Sequence, residues 1–200
     1  MARPSALAPL IALSAALFVA PAAAQPPATA RDEPATKFEQ FMLSKGTVRV
    51  REYYEVGTLR GTLGSADFQV ARAYTPGQRD YLLALQIKVT EAGRLNRDRI
   101  GILDADEVAS LVAAIPQMTR MAETLRQGQE AQNTEVDFKG GSVQVTFFVS
   151  KRGGSREGLA IKAGEIGSVT AFFEIADLAK IADLLTQATV KIRELQQKRP

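Results

Sequence analysis

Asp104, Asp106 and Glu107 set three carboxylates within four positions, and clustered carboxylate oxygens are what a hard cation such as calcium binds. Their spacing matches no EF-hand loop. They also lead directly into an apolar helical pattern, where acids accept from the free N–H groups of the first turn and oppose the positive end of the helix dipole. The spacing therefore predicts helix starting, with Asp104 as the cap and Glu107 completing a variant of the capping box. Glu174 and Asp177 stand at equivalent offsets before a second helical pattern, and a role common to both copies points the same way. The other chemically suggestive segment is Lys151-Arg152-Gly153-Gly154-Ser155-Arg156. Three cations on a glycine-rich tip suit a solvated hairpin turn, or contact with phosphate or another anion through guanidinium forks and open backbone N–H groups. Lys151, Arg152 and Arg156 are the candidate anion or partner contacts.

Composition closes most other routes. The 200 residues include no His and no Cys, which removes the imidazole proton shuttle, thiol nucleophiles, thiolate metal sites and disulfides. Gly57, Gly61 and Gly64 do not follow G-x-G-x-x-G and open no helix, so no dinucleotide site is implied. There is no G-x-S-x-G elbow, no S-x-x-K pair and no phosphate loop of the form G-x-x-x-x-G-K-[ST]. Paired carboxylates for glycoside hydrolysis can lie anywhere in a sequence, but 6% aromatic residues and no Trp offer little to stack on a sugar. No catalytic residue, metal or cofactor is expected.

The N-terminus carries an address. Arg3 precedes an apolar run from Ala6 to Ala20, followed by Pro21 and Ala22-Ala23-Ala24, the layout of a secretory signal peptide with an A-x-A cleavage site. The run is interrupted by Pro9 and shorter than the ~20 residues a membrane span needs. Cleavage after Ala24 is expected, giving an exported protein, periplasmic or secreted. It removes Arg3 from 25 basic residues and none of the 22 acids, leaving 24 against 22. A chain so near neutrality is a poor match for nucleic acid. Residues 25–36, QPPATARDEPAT, read as a flexible linker.

Residues 37–200 read as one globular domain of two similar halves, 37–128 and 129–200. The first contains a short helix, Lys37–Leu43, and a strand, Thr47–Val56, with Val48, Val50, Tyr54 and Val56 inward and Glu52 the single misfit on that face. Strands follow around Asp67–Tyr74, Tyr81–Thr90 and Arg97–Leu103. A helix then carries apolar residues at Val108, Leu111, Ile115, Met118, Ala122 and Leu125. Pro116 inside this ladder predicts a kink or break near Ala114–Ile115. Arg94, Arg97 and Arg99, with outward Arg49 and Arg51 on a candidate neighbouring strand, are mixed with Glu52, Glu55, Glu91 and Asp98, which predicts a mixed-charge solvent face. The second half repeats the plan with Thr134–Lys139, Ser142–Val149, Leu159–Ala163 and Ser168–Phe173. Its helix, Ala176–Gln196, repeats the ladder without a slip, at Leu178, Ile181, Leu185, Ala188, Ile192 and Leu195.

The expected fold is therefore α+β, two tandem ββββα units in which antiparallel sheets are each covered by an amphipathic helix. Over roughly Gly46–Leu195 this outline resembles the Whirly and PC4-like single-strand-binding folds. The resemblance implies a fold rather than an activity, since the Lys-Gly-Lys-Ala-Ala-Leu motif of the Whirly proteins has no counterpart here. The function expected is non-enzymatic binding, to a protein partner or to itself, through sheet faces, edge strands or the final helix. The alternative is an anionic polymer, nucleic acid or lipopolysaccharide, held by the basic loops.

Overall fold

The structure, a computed structural model, describes residues 36–93, 96–127, 131–151 and 156–198. The expected signal peptide and all of the linker but Thr36 lie outside the described residues. Thr36 is the N-cap of α1 (Lys37–Leu43) and forms a full capping box with Glu39, so the described chain opens on a helix cap. The first sheet consists of β1 (Val50–Arg60), β2 (Ser65–Tyr74), β3 (Tyr81–Glu91) and β4 (Arg97–Asp104), antiparallel and in sequence order, followed by α2 (Ala105–Gln127). The second consists of β5 (Asn133–Gly140), β6 (Val143–Ser150), β7 (Arg156–Ala163) and β8 (Val169–Phe173), in the same order, followed by α3 (Asp177–Gln197). The chain is an α+β fold of tandem ββββα units.

α3 is exchanged onto the other copy's sheet, and α2 bridges the two sheets. α3 lies over β1, β2 and β3 of the first sheet, while α2 lies over β5 and β6 and also touches β3 and β4. Both ladders face inward: Val108, Leu111, Ile115, Met118 and Ala122, and every position from Leu178 to Leu195, are buried, with Leu125 at the margin. One apolar cluster runs through both sheets and both helices. The inward face of the first sheet and the stripe of α3 are therefore shielded from water by one another across the two copies.

The hairpins are exchanged as well. Ser142, in the β5–β6 turn, donates its N–H to the Ile102 carbonyl at 3.1 Å, and its Oγ accepts from the Ile102 N–H at 2.9 Å. Leu63, in the β1–β2 turn, exchanges 3.2 and 3.1 Å backbone bonds with Phe172. Ile102 and Phe172 hold equivalent positions on β4 and β8, so the outer edge of each copy's last strand is bonded at one matching residue by the other copy's first hairpin. Glycine is required at these contacts. A Cβ on Gly61 would stand 2.2 Å from the Phe172 carbonyl oxygen, and one on Gly141, at φ +46°, 2.1 Å from that of Ile102.

Three local expectations are corrected. α2 runs unbroken through Pro116; proline withholds one donor, but Leu111, Ile115 and Met118 on both sides are buried, and that packing holds the helix together. β1 begins at Val50 rather than Thr47, and Val48 is 75% exposed. The residue before β1, Arg49, instead donates to the Phe41 carbonyl at 2.6 Å and to that of Met42, closing the C-terminus of α1. Finally, β1 continues past Gly57 to Arg60 with a bulge between Glu55 and Gly57. Leu184 of α3 reaches over Gly57, its Cδ2 2.7 Å from where a Cβ would be.

Candidate functional site

The acids singled out by the sequence do start helices, though not as the spacing predicts. The Asp104 N–H donates to Glu107 Oε2 at 2.8 Å, and at the equivalent place in the second copy the Glu174 N–H donates to Asp177 Oδ2 at 3.1 Å. That half of the box repeats in both copies. The Asp104 carboxylate, however, turns away from α2 and accepts from the Lys37 and Phe38 N–H groups at 2.8 and 3.1 Å. It serves the orphan donors of α1. Glu107 also accepts from Gly141 N–H at 2.7 Å, and Glu39 from the Ser142 hydroxyl at 2.8 Å. Thr36, Glu39, Asp104, Glu107, Gly141 and Ser142 thus form a polar knot tying α1 to the seam between the copies. Asp106 points outward to Lys37 at 3.3 Å; its own backbone N–H, and then Lys37, hold its carboxyl below the usual range. Asp104, Asp106 and Glu107 all take part in these bonds.

A second polar group was visible in the sequence only as a misfit. Glu52 and Arg72 pair directly across β1 and β2 on the inward face. Arg72, 7% exposed, donates through Nε to Glu52 at 2.7 Å and through Nη1 to the Lys198 carbonyl at 3.1 Å. Tyr54 and Tyr74 hydroxyls donate to the same carboxylate at 2.7 and 3.2 Å. The bond from Tyr54, with those from Arg72 behind it, holds Glu52 below its ordinary pKa, whereas the Tyr54 hydroxyl is raised by the same bond. Tyr81 donates to the Gln196 carbonyl at 3.0 Å. Arg72 and Tyr81 therefore close the carbonyl end of α3, with positive charge at the negative end of its dipole. The signal was there: two charges at inward positions of successive strands. The cluster is structural, anchoring α3 of one copy to the sheet of the other.

The remaining candidates are surfaces. Lys151 and Arg156 are exposed at the two ends of the β6–β7 hairpin, and Arg152 lies outside the described residues. Arg49 and Arg51 cannot join Arg97 and Arg99 in a patch, because β1 and β4 are opposite edges of the sheet. Arg97 pairs with Glu91 at 2.6 Å, Lys88 with Asp98 at 3.5 Å, and Arg99 donates to the Gly167 carbonyl at 3.2 Å. Between α2 and α3 runs a groove of about 490 Å³ along Ile115, Pro116, Ala122, Leu178 and Ala182.

The outward faces of the two sheets are unlike. Phe38 of α1 packs on Ala71, Ala73 and Ala84 of the first sheet, with Phe41, Met42, Leu82 and Ile102 around it. The second sheet carries no helix there among the described residues. Phe148 and Phe172 meet edge to face with ring centroids 6.3 Å apart, Phe148 lying over Gly158. Phe172 is 37% exposed and its bonding partner Leu63 is 55% exposed. This is an apolar patch on an open sheet face, next to Thr146 and Thr170.

Fold and surfaces together define an α+β protein of two interlocked ββββα copies. Compared with known proteins, the chain matches no family model and no curated sequence.

Proposed function

We propose that this chain is an exported, non-enzymatic binding protein that holds a protein partner on the outward face of its second sheet. The observation that carries the reading is the unequal treatment of two equivalent faces. One is closed by α1; the other leaves Phe172 and Leu63 exposed with Phe148 half-buried beside them, and exposed apolar residues rimmed by polar ones mark interaction sites. The leader-like residues 1–24 support export, and a sequence without His or Cys supports binding rather than catalysis.

The test is site-specific photocrosslinking in cells, with a crosslinking side chain replacing Thr170 beside the patch or Lys191 on α3 as control. The expected result is a discrete adduct from position 170, lost when Phe172→Glu is added, and none from position 191. No adduct at 170, or an equal yield at both positions, would overturn the reading.

A further inference from the structure

We infer that β1 is a self-recognition edge, through which two copies of this chain pair antiparallel about a two-fold axis at Tyr53. Each sheet has two edges. The hairpin exchange bonds the outer edge of β4 at Ile102 and of β8 at Phe172, whereas the first strands, β1 and β5, are outer edges without such a contact among the described residues. Among the described residues no further backbone hydrogen bond reaches the outer side of β1.

The charges on β1 say what fits there. Arg51, Tyr53 and Glu55 point outward and are exposed, and they face uncharged Ala73, Ala71 and Gln69 of β2. Neither Arg51 nor Glu55 has an ion-pair partner among the described residues. On the other side of the same sheet, Lys88 with Asp98 and Arg97 with Glu91 satisfy one another between β3 and β4. When two β1 strands meet antiparallel at Tyr53, Arg51 of each copy stands opposite Glu55 of the other, and the two tyrosines stand opposite each other. Both are favourable cross-strand pairs, and a two-fold axis makes each charge pair twice. The paired segment, Arg51–Glu55, ends where the bulge begins, so the strand is regular over the length the pairing uses.

The equivalent strand of the other copy is built against self-pairing. β5 exposes Glu135, Asp137 and Lys139; the same two-fold arrangement would set Glu135 opposite Lys139 but Asp137 against Asp137, a like-charge clash at the centre of the pairing. Lys139 is already engaged by Glu165 at 3.0 Å. Self-recognition is thus confined to one edge, which yields a closed dimer rather than a fibre.

The experiment is a charge swap read by sedimentation velocity on the purified protein, up to about 0.5 mM so that a weak interface is still populated. Arg51→Glu and Glu55→Arg, each alone, set like charges across the seam and should raise the dissociation constant by about tenfold or more. Mixed one to one they restore opposite charges at every pair, so the mixture should associate as strongly as the unaltered protein. The double variant Arg51→Glu/Glu55→Arg should do the same. Circular dichroism of each variant checks that the fold is kept. A protein that stays monomeric over the whole range, singles that associate normally, or a mixture that fails to restore association would each overturn the inference.

Discussion

The two copies of the ββββα unit differ most where they face away from the shared core. The first sheet is closed by α1, seated on three alanines by Phe38 and fastened at its start by Asp104. The second sheet fills the corresponding ground with its own side chains, Phe148 over Gly158 and Phe172 beside it. Inside, by contrast, the ladders, the helix-start bonds and the hairpin contacts at Ile102 and Phe172 recur at matching positions.

The largest effect should come from the interior. Leu111→Ala and Leu185→Ala each open a cavity in the one cluster both copies share, and each should cost ~2–5 kcal/mol in urea unfolding. Lys180→Ala, on the exposed side of α3, should stay within ~0.5 kcal/mol. If Leu185→Ala destabilised only β5–β8, the exchange of helices would be wrong.

The hairpin contacts should come next. Gly61→Ala and Gly141→Ala each drive a methyl into a carbonyl oxygen of the other copy, with an expected loss of ~1–3 kcal/mol measured by thermal unfolding. A tolerated alanine at either position would break the equivalence of the two closures.

The helix-start acids sharpen the contrast. Asp104→Ala removes the acceptor of two α1 N–H groups and should lower stability by ~1–2 kcal/mol. Glu174→Ala, at the equivalent but exposed position, should change it by less than ~0.5 kcal/mol. Hydrogen exchange on α1 should rise only in the first variant.

Acid should act through Glu52. Its pKa is lowered on folding from an ordinary value near 4.5, so the unfolded chain takes up the proton first. The stability from this group is fully present above that value and is lost as pH falls through the lower folded value. Glu52→Gln should flatten this limb of the stability–pH curve while weakening the anchor of α3 at neutral pH. A curve of unchanged shape would remove Glu52 from the anchor.

The smallest effect is expected at the basic tip. Changing Lys151, Arg152 and Arg156 together to Ala should leave binding to single-stranded DNA or lipopolysaccharide weak at ~0.15 M salt, as in the unaltered chain, where surface charges are screened within about 8 Å. Submicromolar, salt-sensitive binding abolished by this change would instead make the tip a contact surface.

The strand order and both helices were legible because their information is local: period-two alternation, period-3.6 ladders and glycine-bearing turns. Which helix covers which sheet was not, since the same stripe on Leu178–Leu195 fits either face. Glu52 was legible as an anomaly, but its meaning needed the β1–β2 register that sets Arg72 opposite it, and the role of Arg72 needed the position of a helix end 126 residues away. Asp104 shows the same limit: the capping-box spacing identified a helix start, while the carboxylate went to a helix 67 residues upstream.

The interlock itself is most directly tested by unfolding with two probes. All four tyrosines, Tyr53, Tyr54, Tyr74 and Tyr81, lie in the first sheet, so tyrosine fluorescence reports that copy, whereas far-UV circular dichroism reports both. If neither copy has a complete core alone, the two urea transitions coincide, and Leu185→Ala, a change in the second copy, shifts both midpoints equally. Separate transitions, or a tyrosine signal that Leu185→Ala leaves in place, would contradict it.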